Sequence, residues 1–204
     1  MKHLPQQIQE TIAESSRVAL SLQEMAPQLG QAADTIAQSL RSGGRLLLLG
    51  NGGSAAQAQH VAAEFVGRFE NEREPLPALS LTTDNSILTS LSNDYGFEEI
   101  FSRQLMALAR PGDVVVAIST SGNSPNVLRA LETARKLGVK TIGLTGRTGG
   151  RMSPHVDLCL CVASDSTPRI QEAHLLISHI LCGLVEAACL RDRSRRSDKL
   201  SERS

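Results

Sequence analysis

Residues 45–54, Arg45-Leu46-Leu47-Leu48-Leu49-Gly50-Asn51-Gly52-Gly53-Ser54, pass from an unbroken apolar run through a glycine-rich turn to the polar start of a helix. Four successive leucines bounded by glycine are the pattern of a strand buried on both faces, as in a parallel sheet covered by helices. The pattern recurs outward from this stretch. Apolar runs at 78–81, 113–118, 140–144 and 156–162 alternate with amphipathic segments at 53–68, 86–92, 97–108, 125–137 and 170–190. This alternation predicts an α/β, doubly wound, five-stranded parallel sheet flanked by helices. Ahead of it, Ile8, Ile12, Leu20, Leu22 and Met25, then Leu29, Ala32, Ile36 and Leu40 after Pro27, keep helical spacing up to Gly43-Gly44. Residues 1–42 are therefore expected to form an N-terminal helical arm, and residues 1–190 a single domain.

Composition excludes several classes of function. The 204 residues are 41% hydrophobic and 21% charged, too apolar for a disordered chain. Twenty-one Lys and Arg balance twenty-one Asp and Glu, so no net field draws the chain to nucleic acid or to an anionic membrane. Aromatic residues make up only 2%, with no Trp, which leaves little for stacking bases. No apolar run approaches the roughly 20 residues of a spanning helix, and no apolar signal region opens the chain. A cytoplasmic protein is expected. Cys159 and Cys161 alternate on one face of a strand and, with Cys182 and Cys189, read as reduced, buried thiols. The tail 191–204, with six basic residues against three acidic ones, reads as a solvated, frayed end.

Two strand-to-helix junctions carry the chemistry. In Ile118-Ser119-Thr120-Ser121-Gly122-Asn123-Ser124 four hydroxyls and a permissive glycine precede a helix with Pro125 in its first turn. Hydroxyl donors and free N–H groups at the positive end of a helix suit a phosphate without a lysine, although a Ser-rich loop with Ser124 as a plain N-cap has the same composition. In the first junction Gly50, Gly52 and Ala55 match a dinucleotide fingerprint, which requires an acidic residue about 20 positions further on. Asp84 lies 29 residues after Ala55, so that reading fails, and no Gly-Lys-Ser/Thr follows to make a P-loop. A loop that lets a polar ligand approach the backbone remains. Both junctions should face the rim at the strand C-termini, where parallel sheets bind ligands.

His60 and Glu64, four residues apart, share one helix face and offer a base or two metal ligands; the same spacing also makes ordinary surface pairs. Gln171, His174 and His179 interrupt an otherwise apolar last helix and must find partners there. His174 also fits as a satisfied core or interface histidine.

Taken in order, residues 49–54, His60-x-x-x-Glu64, Asn93-Asp94-Tyr95-Gly96, residues 118–124, Leu144-Thr145-Gly146 with Gly149-Gly150, and Arg169-Ile170-Gln171-Glu172-x-His174-x-x-x-x-His179 resemble the sedoheptulose 7-phosphate isomerase (phosphoheptose isomerase) family of sugar-isomerase, or SIS, domains. The likeness runs from the helical arm to about residue 190. It implies conversion of sedoheptulose 7-phosphate to D-glycero-D-manno-heptose 7-phosphate, on the way to bacterial surface glycans. By matching positions, it implies that Asn51, Gly52, Gly53, His60, Glu64, Asn93, Asp94, Ser119, Thr120, Ser121, Ser124 and Gln171 hold substrate. It further implies one zinc per subunit on His60, Glu64, Gln171 and His179, with Glu64 and His179 as base and acid. Related SIS proteins include a non-catalytic regulator of replication initiation and isomerases for other sugar phosphates. A retained Glu64 and His179 favour the enzyme, because a scaffold has no chemical need for them.

Gln171 and His179 are eight residues apart, about 12 Å along a regular helix, which is awkward for two ligands of one ion. Either the last helix starts irregularly, or one of the two comes from a neighbouring subunit. The resembled family is tetrameric, so a homotetramer with shared active sites is expected, its subunits joined by the apolar faces of the arm and the last helix.

Overall fold

The computed structural model describes residues 3–201, with side chains through Arg191. Five strands, β1 (Leu46–Gly50), β2 (Ala78–Ser80), β3 (Val114–Ile118), β4 (Lys140–Thr145) and β5 (Leu158–Cys161), form one sheet in the order β2-β1-β3-β4-β5. Every neighbouring pair is parallel. The helices are α1 (Leu4–Ser21), α2 (Ala26–Arg41), α3 (Gly53–Val66), α4 (Asn85–Tyr95), α5 (Ser102–Leu108), α6 (Pro125–Lys136) and α7 (Thr167–Ser201).

The leucine run shows how the layers form. Side chains alternate across a strand, so Leu46 and Leu48 pack into the core made with α2, α3 and α7, while Leu47 and Leu49 join the core made with α5 and α6. None of the four is more than 1% exposed. Full burial of each contributes about 1.5–3 kcal/mol, and a polar residue at any of them would open one core to an unmet hydrogen-bonding group.

The doubly wound sheet and the helical arm stand as expected, with local corrections. The arm breaks at a 3-10 turn, Leu22–Met25, and restarts with Pro27 in the first turn of α2, where its missing N–H costs nothing. The segment expected as one helix over 97–108 is a 3-10 turn, Phe97–Glu99, followed by α5, and Ser102 donates its hydroxyl to Glu99 across the break. Gly96, at φ 93°, ends α4 just before it, a conformation that favours glycine. α7 begins three residues earlier than expected, with Pro168 in its first turn, and its backbone continues past residue 190 to Ser201. Beyond Arg191 the side chains of the basic tail lie outside the described residues. By length and composition the stretch Thr167–Arg191 is apolar enough to cross a membrane, but Ile170, Ala173, Ile177, Leu181 and Val185 spend that apolarity on the core.

From β1 the chain crosses to β2 on one side, and β3 then pairs with β1 on the other. The C-terminal ends of β1 and β3, Gly50 paired with Ile118, therefore lie at the topological switch point, where a crevice opens between diverging loops.

Candidate active site

Both predicted junctions lead from this crevice. In the first, Gly50 has no room for a side chain, since a Cβ would sit 2.8 Å from the carbonyl oxygen of Ile118. Asn51 crosses the switch point to Asn126 on α6 in a reciprocal amide pair, Nδ2 to Oδ1 at 2.9 Å and 2.8 Å in the two directions. Asn126 is buried, and its Oδ1 also accepts from the N–H of Val127. Sequence reasoning missed it; a lone amide in the first turn after Pro125 was the available signal.

In the second junction Ser119 is buried and its hydroxyl lies 3.1 Å from that of Ser124. Ser124 occupies the N-cap position of α6 but makes no side-chain capping bond, so its hydroxyl serves the loop and not the helix end. The loop is braced from behind. Gly146 donates its N–H to the Thr120 carbonyl at 3.0 Å and Met152 to that of Gly122 at 2.9 Å. Gly122, at φ 64°, lies so close to the Gly149 carbonyl that any side chain would collide. Thr120 and Ser121 are thereby held at the mouth of α6, where backbone dipoles favour an anion.

The titratable groups converge between α3 and α7, which lie side by side. His60 Nε2 is 3.0 Å from His179 Nε2, and 3.5 Å from Glu64 Oε1 one turn along its own helix. The Phe69 ring packs on His179 with centroids 5.6 Å apart. Two imidazole nitrogens and a carboxylate oxygen are donors of the kinds zinc takes, but among the described residues no three His, Cys, Asp or Glu side chains are grouped so as to hold an ion. Gln171 lies elsewhere on α7: its side-chain amide packs on Gly53 at the start of α3, and its backbone carbonyl accepts from Gln57 Nε2 at 2.6 Å. α7 is helical without interruption from Thr167, so an irregular start does not bring Gln171 to His179. Asn93 and Asp94 are exposed on α4 and bond to each other, Nδ2 to Oδ1 at 2.7 Å; among the described residues no hydrogen bond ties them to the rest of the site.

His174 is fully buried and bonds through Nε2 to the Thr145 carbonyl at 3.2 Å, so that nitrogen carries the proton. Burial pulls its pKa down to about 4, against a smaller opposing effect of that bond. It is neutral, with Nδ1 unpartnered. It supports β4 and the strand end behind Thr120.

A buried charged group went unread. Glu186 accepts from the N–H groups of Phe69, Glu70 and Asn71 at 3.0, 3.1 and 2.9 Å, from Asn71 Nδ2 at 3.0 Å and from Arg73 Nε at 3.0 Å. Burial would raise its pKa, but the hydrogen bonds of Asn71, Phe69 and Glu70 outweigh that and hold it at about 2. The requirement that buried polar groups find partners, already applied to His174, would have flagged a lone carboxylate in Leu184-Val185-Glu186-Ala187-Ala188.

Fold and site define a class: a doubly wound α/β protein with two glycine- and hydroxyl-rich loops at the switch point and a His60–Glu64–His179 cluster between the flanking helices. The family model described as the SIS domain matches residues 12–146. The phosphoheptose isomerase of Rhodospirillum rubrum is 56% identical over 169 residues, 83% of this chain and 90% of its own length. That of Geotalea daltonii is 53% identical over 189 residues, covering 92% and 98% of the two chains. The solved phosphoheptose isomerase of Neisseria gonorrhoeae superposes with a TM-score of 0.86 at 42% identity, over 90% of this chain and 99% of that one. The chain belongs to the phosphoheptose isomerase family of SIS-domain proteins.

Proposed function

We propose that this chain interconverts sedoheptulose 7-phosphate and D-glycero-D-manno-heptose 7-phosphate in the cytoplasm, supplying heptose for bacterial surface glycans. The observation that carries the reading is the meeting of His60, Glu64 and His179 between two helices, one of which starts from the glycine-rich loop at the switch point. The ketose has its carbonyl at C2. Isomerisation removes a proton from C1 and protonates the C2 oxygen to give an enediol; loss of the O1 proton and protonation of C2 then leave the aldehyde at C1. Glu64 is the base that takes the carbon-bound proton and returns it at the neighbouring carbon, and His179 moves the proton between the oxygens. Ser119, Thr120, Ser121 and Ser124 hold the phosphate, and Asn51, Gly52, Gly53, Asn93, Asp94 and Gln171 hold the sugar.

His60, Glu64 and His179 carry donors of the kinds one zinc per subunit would take, and Gln171 would join them only by a contact beyond those of the single chain. Bound zinc would polarise the C2 carbonyl and the C1 hydroxyl. A homotetramer with shared sites accords with the exposed apolar side chains Leu4, Ile8 and Ile12 along α1 and Leu176 and Leu184 on α7. The direct test is incubation of the purified protein with sedoheptulose 7-phosphate and detection of the aldose phosphate. Absence of turnover in protein loaded with zinc would overturn the reading.

A further inference from the structure

Arg73 and Glu186 form an ion pair, Nε to Oε1 at 3.0 Å, with side chains 3% and 1% exposed. The same guanidinium donates to the carbonyls of Glu64, Phe65 and Gly67, the open last turn of α3. It thus ties the end of α3 that carries Glu64 to α7, seven residues beyond His179. Seven residues are about two helical turns, so Glu186 and His179 share a face of α7. The segment folded around the carboxylate carries Phe69, whose ring lies on the His179 imidazole with the planes inclined at 37°. Gly183 lies under that ring, and a Cβ there would touch it at 3.6 Å, an ordinary van der Waals contact. Burying a charged pair is an inefficient way to stabilise a fold, because an apolar pair of similar volume commonly does as well. What an apolar pair lacks is the set of directed bonds that fixes both helices and the Phe69 segment at once.

We propose that Arg73, Glu186 and Phe69 are positioning residues that set the His179 imidazole against His60 and Glu64. The kinetic part of the test rests on the proposed isomerase reading. Two variants serve it: Glu186→Gln, which removes the charge of the brace, and Phe69→Leu, which leaves the brace and the backbone bonds intact. In folded protein each should lower kcat by about 10- to 100-fold with KM changed less than about twofold, the signature of misplaced catalytic groups and not of lost substrate binding. In protein without substrate, the nuclear Overhauser contact between the His60 and His179 rings should weaken and the His179 Cε1–H resonance should move. Unchanged kcat together with unmoved ring resonances overturns the proposal, as does a rise in KM alone, which would make the segment a substrate contact. If Glu186→Gln fails to fold, Phe69→Leu decides. If the wild-type chain shows no turnover, the isomerase reading fails and the ring contact by itself decides this one.

Discussion

The rim loops and the α3–α7 pair build their halves of the site by different means. Each loop is nearly complete in one stretch of chain: residues 50–53 and 119–124 contain the glycines, hydroxyls and helix start that an anion needs. The helix pair brings together groups from opposite ends of the chain, His60 and His179, 119 residues apart. On the proposed reading, local chemistry makes the binding surface and tertiary packing makes the reactive cluster. Substitutions in the loops should weaken binding; substitutions on the helices should slow the chemistry.

The sharpest way to break this division is at Glu64. Glu64→Gln keeps the shape of α3 and should cost on the order of 100- to 10,000-fold in kcat with the thermal melt preserved, as loss of a general base does. Near-normal turnover would assign the base elsewhere. On the loop side, the Ser119→Ala, Ser121→Ala double variant should raise KM by about tenfold or more, through lost hydrogen bonds to a dianion, with kcat much less affected. Equal rates with sedoheptulose and its 7-phosphate would remove the phosphate role from this loop.

Asn126 tests whether the loops depend on each other. Asn126→Asp cannot donate to Asn51, so the reciprocal pair is lost and two acceptors face each other; calorimetry should show a loss of about 1–3 kcal/mol. A pH-dependent effect belongs to His174. Its pKa is about 4 in the folded chain, below the ordinary 6.5, so the unfolded state takes up the proton first as pH falls. Its contribution is fully present above pH 6.5 and is lost between 6.5 and about 4, at up to about 1.4 kcal/mol per pH unit. Denaturant titrations of His174→Gln across that range should show a flatter pH dependence than the wild type. The smallest expected effect is none at all. Glu64→Gln and His179→Ala subunits, mixed and reassembled, should regain no activity, because both groups meet His60 within one chain; recovery would place them on different chains.

What could be read from the sequence follows the same division. The leucine run, the two junctions and the arm were visible because apolar period and turn chemistry are local. The contact of His60 with His179 could not be derived from spacing, since it depends on how α7 lies against α3; resemblance to a family put both in one site without showing how they meet. Asn126 and Glu186 escaped for a related reason. Each is one polar residue in an ordinary helix, and only its burial against a distant segment gives it a task. Gln171 and His179 show the opposite case, since their eight-residue separation on one helix already warned that a single ion would not join them easily, and in the structure the Gln171 amide lies on Gly53.

The unbroken course of α7 also makes the helix a ruler in evolution. Gln171, His174, His179 and Glu186 are marks on one rigid rod, each in phase with a different part of the fold. One residue added between His179 and Glu186 would turn one relative to the other by about 100° and move it about 1.5 Å along the axis, misaligning the imidazole or the brace. Substitutions can be absorbed along this stretch, but changes of length cannot. Among relatives that keep the activity, insertions and deletions should therefore fall outside residues 171–186, a pattern that an alignment of active enzymes can check.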